Sequence, residues 1–188
     1  MRDLSLHLLD IMQNSIAAKA DRIKVDLQTS GDDGTLCITI EDNGVGMDEE
    51  LLKKVTSPFV TTRKTRKVGM GIPLLKAAAQ LTTGDLEIVS EVGKGTTLKV
   101  TFGINHIDRP PLGSVADTMV SMVMANPEVD FELLLDNGNE SFEFNTRDIK
   151  DKLGDVPISQ FDVLDWMREY IDGGLKEIFG GVFNEIVG

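Results

Sequence analysis

An apolar strand, Leu36-Cys37-Ile38-Thr39-Ile40-Glu41, runs directly into Asp42-Asn43-Gly44-Val45-Gly46-Met47. A strand that meets an Asp, an Asn and two glycines has stopped pairing and begun a pocket wall. Gly44 and Gly46 lack Cβ atoms, so the backbone there can turn through positive φ and let a flat ligand approach. An ionised Asp42 only accepts hydrogen bonds, which suits an amino group such as the exocyclic amine of adenine. Taken alone, the same residues also describe an ordinary Asn-Gly turn.

Three other stretches carry chemically useful groups. Asp10 and Asn14 stand four residues apart in a segment with helical spacing, opposite an apolar arc of Leu4, Leu8, Ile11, Met12 and Ile16. They therefore present two oxygen-bearing side chains one turn apart, on a face that a solvated surface would equally explain. Gly69 and Gly71 precede Ile72-Pro73-Leu74 and open a second helix. A helix N-terminus offers unpaired N–H groups and partial positive charge to a phosphate, and glycine lets it come near. Pro73 is tolerated because it falls in the first turn. Between them lies the chain's densest basic cluster, Arg63, Lys64, Arg66 and Lys67, in a loop whose charge could meet a phosphate. Arg63 and Lys64 are the two candidates for that contact.

The elements that must position these groups follow from periodicity. Residues 3 to 19 are expected to be helical, 22 to 28 and 35 to 41 to form a hairpin, and 49 to 55 a short helix capped by Asp48. Beyond the second helix, 84 to 91 and 95 to 103 make another hairpin around Val92-Gly93-Lys94, with Thr96, Leu98, Val100 and Phe102 on one face. Asp108 to Gly113 reads as a linker or domain edge. A helix near 114 to 125 follows, then strands near 129 to 136 and 140 to 146 joined at Asn137-Gly138, and helices near 147 to 153 and 159 to 172. The Gly-Gly pairs at 173 to 174 and 180 to 181 are expected to break the last helix. Leu175, Ile178, Phe179, Val182, Phe183 and Ile186 still form an apolar stripe, read as packing on the chain's own core.

Asp10 to Asn14, Asp42 to Met47, Gly69 to Leu74 and Gly95 to Thr97, four boxes in this order, resemble the ATP-binding domains of the GHKL superfamily, which includes gyrase, histidine kinases and MutL. The resemblance covers roughly residues 1 to 104 and is nearest the histidine-kinase-like ATP-binding domain. It implies an α+β fold, the two-layer α/β sandwich called the Bergerat fold, with helices on a mixed, mainly antiparallel sheet. It implies ATP and Mg2+ as ligands, with Asn14 reaching the metal and Asp10 at the position where hydrolytic members carry a Glu base. The Asp is one methylene shorter, so its reach must be made up by backbone or water. The resemblance also implies nucleotide contacts from Asp42, Gly44, Gly46, Met47, Gly69, Gly71 and Thr96. Residues 57 to 69 look like a short phenylalanine box and lid, which adds Phe59 to the basic pair Arg63 and Lys64. Met124 to Leu133 resembles the start of a MutL transducer region. His7 is read as a surface or capping residue.

The chain has 188 residues and a net charge of −12. That sign repels polyanions, so no nucleic-acid partner is expected. The one cysteine, Cys37, is expected to be buried mid-strand as a small apolar residue. It leaves no internal disulfide, which fits a cytoplasmic location. No run reaches the roughly 18 apolar residues of a membrane helix. Length allows one main domain, 1–106, with a small α/β extension, 107–188, that could engage a protein partner or a second copy in a homodimer. Three functions compete. One is an ATPase or ATP-gated switch. Another is a protein kinase acting in trans, since no H-box surrounds His7 and a complete sensor kinase is not expected. The third is a non-enzymatic nucleotide-binding module.

Overall fold

The computed structural model describes residues 3–31, 34–57 and 70–180. Apolar side chains alternate along the strands and so line one face of a six-stranded sheet. The strands are β1 (Arg22–Ser30), β2 (Thr35–Asp42), β3 (Leu86–Glu91), β4 (Gly95–Gly103), β5 (Asp130–Asp136) and β6 (Ser141–Asn145), in the order β3-β4-β2-β1-β5-β6. Every neighbouring pair is antiparallel except β1 with β5. Ile23, Val25 and Leu27, Leu36, Ile38 and Ile40, Leu98, Val100 and Phe102, and Phe131, Leu133 and Leu135 are all buried on that face. Helices α1 (Leu4–Ala17), α3 (Gly71–Leu81), α4 (Val115–Ala125) and α6 (Phe161–Phe179) join the same apolar core. The expected two-layer α+β sandwich is therefore what forms, and its other sheet face is polar.

Strand parity decides where two expectations end up. Leu36, Ile38 and Ile40 take the core face, so Asp42, two residues further, ends the strand on the same side. Cys37 takes the opposite face and is half-buried, with Sγ 4.0 Å from Thr39 Oγ1. The expectation of a buried thiol fails because a one-residue step reverses the face.

Residues 107–180 add to the sheet already present. Strand β5 lies parallel to β1, and its side chains share the core of β1 and β2. The segment before α4 is a strap over α1, whose Leu4 and Ser5 N–H groups donate to Pro111 and Leu112 carbonyls at 2.9 Å each. Arg109 within it is buried and donates to the Ile104 carbonyl at 2.9 Å. Helix α2 (Glu49–Thr56) is capped by Asp48 as expected, and α5 (Thr146–Leu153) starts on the Asn145 side chain.

The Gly-Gly pair at 173 to 174 does not end α6, which runs through it to Phe179. Gly174 faces the ring of Phe142, and a Cβ there would lie 2.6 Å from ring carbons, so a ring fills the room a side chain would need. A Cβ on Gly173 would meet nothing within 4 Å among the described residues. Gly173→Ala is therefore expected to stabilise the fold by about 0.5–1 kcal/mol through backbone entropy. Gly174→Ala should instead destabilise by about 1–3 kcal/mol through overpacking. Urea unfolding of the two variants checks the opposite signs. Of the apolar stripe, Ile178 and Phe179 are buried and Leu175 partly so, while Val182, Phe183 and Ile186 lie outside the described residues.

Candidate functional site

The glycine turn is held in place by backbone. Gly46 has φ +68, and a Cβ there would overlap the Glu91 carbonyl. Only glycine can hold this position, because the backbone is left-handed and closely approached at once. The Val45 N–H donates to the Ala18 carbonyl and the Gly93 N–H to the Val45 carbonyl, both at 2.8 Å. The turn is thus clamped between the end of α1 and the β3–β4 hairpin. Asn43 is a second clamp, accepting from the Asp21 and Arg22 N–H groups at 3.1 and 3.0 Å.

Asp42 is consequently fixed with both oxygens engaged. Oδ1 accepts from the Gly44 N–H at 2.9 Å and Oδ2 from the Ser15 hydroxyl at 2.6 Å. A carboxylate offers about four lone-pair sites, so acceptor capacity remains for a further donor. Asp42 lines a cavity of about 170 Å³ together with Asn14, Ser15, Gly46, Met47 and Thr96. Its remaining walls are chiefly apolar: Ile11, Ile40, Leu51, Val55, Ile72, Ile88 and Leu98. Greasy walls with a few directed polar groups are the usual composition of a small-molecule pocket.

A polar corner adjoins this cavity. Asp10 Oδ2 is buried without a hydrogen-bond partner among the described residues, and it lies so near Gly71 that a Cβ at 71 would overlap it. Gly71 is the first residue of α3, whose first turn has no side-chain cap. An acidic oxygen and uncapped helix N–H groups therefore meet at one edge of the pocket, beside Ile11 and Ile72 of its wall. Among the described residues no cluster of three or more His, Cys, Asp or Glu could hold a metal by itself. Asn14 and Asp10 supply hard oxygen donors, so a metal here would need ligands from a bound phosphate and water.

Of the residues singled out from sequence, Asn14, Asp42, Gly46, Met47 and Thr96 share the cavity. Gly44 touches it through Asp42, while Asp10 and Gly71 meet at its edge. Phe59, Arg63, Lys64 and Gly69 lie outside the described residues. Asp10 and Asn14 do not sit on a solvated face, because α3 and the turn pack over that side of α1. Sequence reasoning missed Ser15 and Ser90. Ser15 was legible as a hydroxyl four residues after Ile11, on the buried arc of α1. Ser90 Oγ stands 2.8 Å from Thr96 Oγ1, its opposite number in the β3–β4 hairpin, and accepts from the Met47 N–H at 2.9 Å, a contact that no local pattern announces.

His7 also departs from expectation: it is 3% exposed, and its Nδ1 has no partner among the described residues. Burial pushes its pKa below the ordinary 6.5, with Asp10 and Asp3 acting the other way. Below pH 6.5 the unfolded chain takes up a proton that folded His7 refuses, so its contribution to stability is lost as pH falls. Between pH 7 and 5.5, Tm is expected to fall further for the native protein than for His7→Leu; parallel curves would remove His7 from the account.

Comparison with known proteins extends the geometry. Residues 2–106 match the family described as histidine kinase-, DNA gyrase B-, and HSP90-like ATPase. The signal transduction histidine-protein kinase AtoS of Escherichia coli is 37% identical over 99 residues, 52% of this chain and 16% of that protein. The histidine protein kinase DivJ of Caulobacter vibrioides is 32% identical over 107 residues, 55% of this chain and 18% of that protein. The chain thus spans under a fifth of the length of these relatives. A solved N-terminal domain of a DNA repair protein shares the fold, with TM-score 0.52 and 16% identity over 76% of this chain and 52% of that one. No helix among the described residues is long and apolar enough to cross a membrane. With its glycine turn, inward Asp42 and family match over residues 2–106, the chain belongs to the histidine kinase-, DNA gyrase B- and HSP90-like ATPase family.

Proposed function

We propose that residues 1–106 bind Mg-ATP and hydrolyse it slowly, or use it as a switch read by a partner through residues 107–188. The observation that supports this best is the Asp42 carboxylate, aimed into an apolar cavity and already oriented by Ser15 and Gly44. At about 170 Å³ the cavity is smaller than the roughly 300–1,000 Å³ usual for whole ligands, and suits a base alone. Thr96 and Met47 border the same space, and the triphosphate would lie toward the uncapped start of α3. The unpartnered Oδ2 of Asp10 fits a group that takes a proton from water or binds one in place. Asn14 would ligate magnesium, whose chemistry when bound is to neutralise phosphate charge.

A second reading is transfer of the γ-phosphoryl to a partner in trans, favoured because AtoS and DivJ are both histidine protein kinases. Magnesium-dependent ATP binding tests the shared premise. Steady phosphate release supports hydrolysis, while labelled phosphate appearing on a second protein supports transfer. Tight binding with neither would mark a nucleotide-binding interaction module, and no binding of ATP or ADP would overturn the proposal. A cytoplasmic location belongs to the same reading.

A further inference from the structure

The chain's single Trp and single Tyr both stand on the outer side of α6, at 50% and 42% exposure. Trp166 and Tyr170, one turn apart, stack with centroids 5.2 Å apart and planes 11° from parallel. Tyr170 leans in turn on Phe142 of edge strand β6, at 4.8 Å and 49°. Phe142 is braced by the bare backbone of Gly174, and the Tyr170 hydroxyl donates to the Glu143 carbonyl at 3.5 Å. Three rings thus form a ladder from the sheet edge to solvent, rigid at its base and uncovered at Trp166. Stacked aromatics of this kind lose little freedom on binding, and Trp and Tyr are the residues that most often dominate interface energetics.

Charge decides what such a platform can take. At helical spacing Asp162, Glu169 and Glu177 fall on the same side of α6 as the two rings, and all three are exposed. Arg168 does not neutralise them, being held by Asp117 at 2.7 Å and Asp165 at 3.4 Å. Lys176, the other cation on the helix, is exposed and falls near Glu169 at helical spacing, so three carboxylates against one ammonium leave the face net acidic. Aromatic faces carry negative potential and attract guanidinium or ammonium groups, and the surrounding carboxylates act with them. A polyanion would be repelled from this face, and a purely apolar segment would leave the carboxylates uncompensated.

We propose that this outer face of α6 is a docking surface for a cationic protein segment, an Arg- or Lys-rich stretch of a partner that stacks on Trp166 and pairs with Asp162 and Glu169. It rests on the reading of residues 107–188 as the partner-facing part of the chain. Because Trp166 is the sole indole, its fluorescence reports the site directly. The probes are four short peptides of equal length in which Ala alternates with Arg, Lys, Glu or Gln, added to the full chain. The Arg peptide is expected to change Trp166 emission saturably, and salt should weaken it. Asp162→Lys with Glu169→Lys should weaken that binding about tenfold or more. Asp85→Lys with Glu87→Lys, the same charge change at exposed, distant positions, should leave it within about twofold. Equal loss from the two reversals would mean general charge attraction and overturn the proposal. A response to the Glu or Gln peptide in place of the Arg peptide would overturn the cationic chemistry while leaving the partner-facing reading standing. Silence toward all four would overturn both. An emission change on concentrating the protein alone would assign the face to a second copy and overturn it as well.

Discussion

Replacing Asp42 with Asn is expected to weaken ATP binding about 10- to 100-fold, the cost of losing one hydrogen bond to a charged group, while leaving the fold intact. The two effects separate because of how the carboxylate is held. An Asn at 42 can keep its amide oxygen on the Gly44 N–H and turn its amide nitrogen toward Ser15, whose hydroxyl can accept as well as donate. The internal contacts survive. What changes is the cavity side, where an acceptor is replaced by a donor that would face the adenine amine. Calorimetric titration with ATP and thermal unfolding, run on the same preparation, give the two readouts. Unchanged affinity in a folded variant would remove Asp42 from the site; lost affinity with a collapsed Tm would reduce it to a structural residue.

The second large effect is expected at Asp10, and it runs in opposite directions for turnover and stability. If Asp10 activates the attacking water as proposed, Asp10→Ala should lose about 100-fold or more of the phosphate release rate. Binding should be kept, since Asp10 is not among the residues lining the cavity that Asp42 enters. Stability should rise. A buried polar atom without a partner costs about 1–3 kcal/mol, and the charge–dipole attraction at a helix N-terminus returns only about 0.3–1 kcal/mol. The balance favours the alanine variant by roughly 1 kcal/mol, a gain of about 2–4 °C in Tm for a chain of this size. A functional group kept at the expense of stability is a common pattern in sites that need an unsatisfied atom. If Asp10→Ala lowers Tm and leaves phosphate release unchanged, Asp10 is a structural carboxylate and the water-activating role is lost. If the intact chain releases no phosphate and instead labels a second protein, the transfer reading replaces hydrolysis.

The amino-acid sequence on its own determined the elements and most of the groups that meet at the cavity. Period-two alternation assigned a core face to β1 and put Thr96 on the same side of β4 as Leu98, Val100 and Phe102. The four-residue spacing of Asp10 and Asn14 placed them together on one side of α1, and the box order made the family legible before any contact was known. These readings succeed because each depends on local geometry, where the chain's own repeat fixes which side chains share a face.

Tertiary structure decided what local repeats leave undetermined. Helical spacing separates Asp10 from the apolar arc of α1, but only the packing of α3 partly covers that side, buries the Asp10 Oδ2 atom and brings Gly71 against it. His7 is buried for the related reason that α1 is covered on more than one side. Ser15 and Ser90 orient the site through contacts 27 and 43 residues apart along the chain, which no short-range pattern encodes. A glycine pair reads as a helix stop because glycine is the poorest helix former after proline. The Phe142 ring, delivered by a strand more than thirty residues earlier, occupies the space a side chain at Gly174 would take, and α6 packs against it without interruption. Burial is set by what lies on the other side of a residue, and that partner is chosen by the fold rather than by the neighbours in sequence.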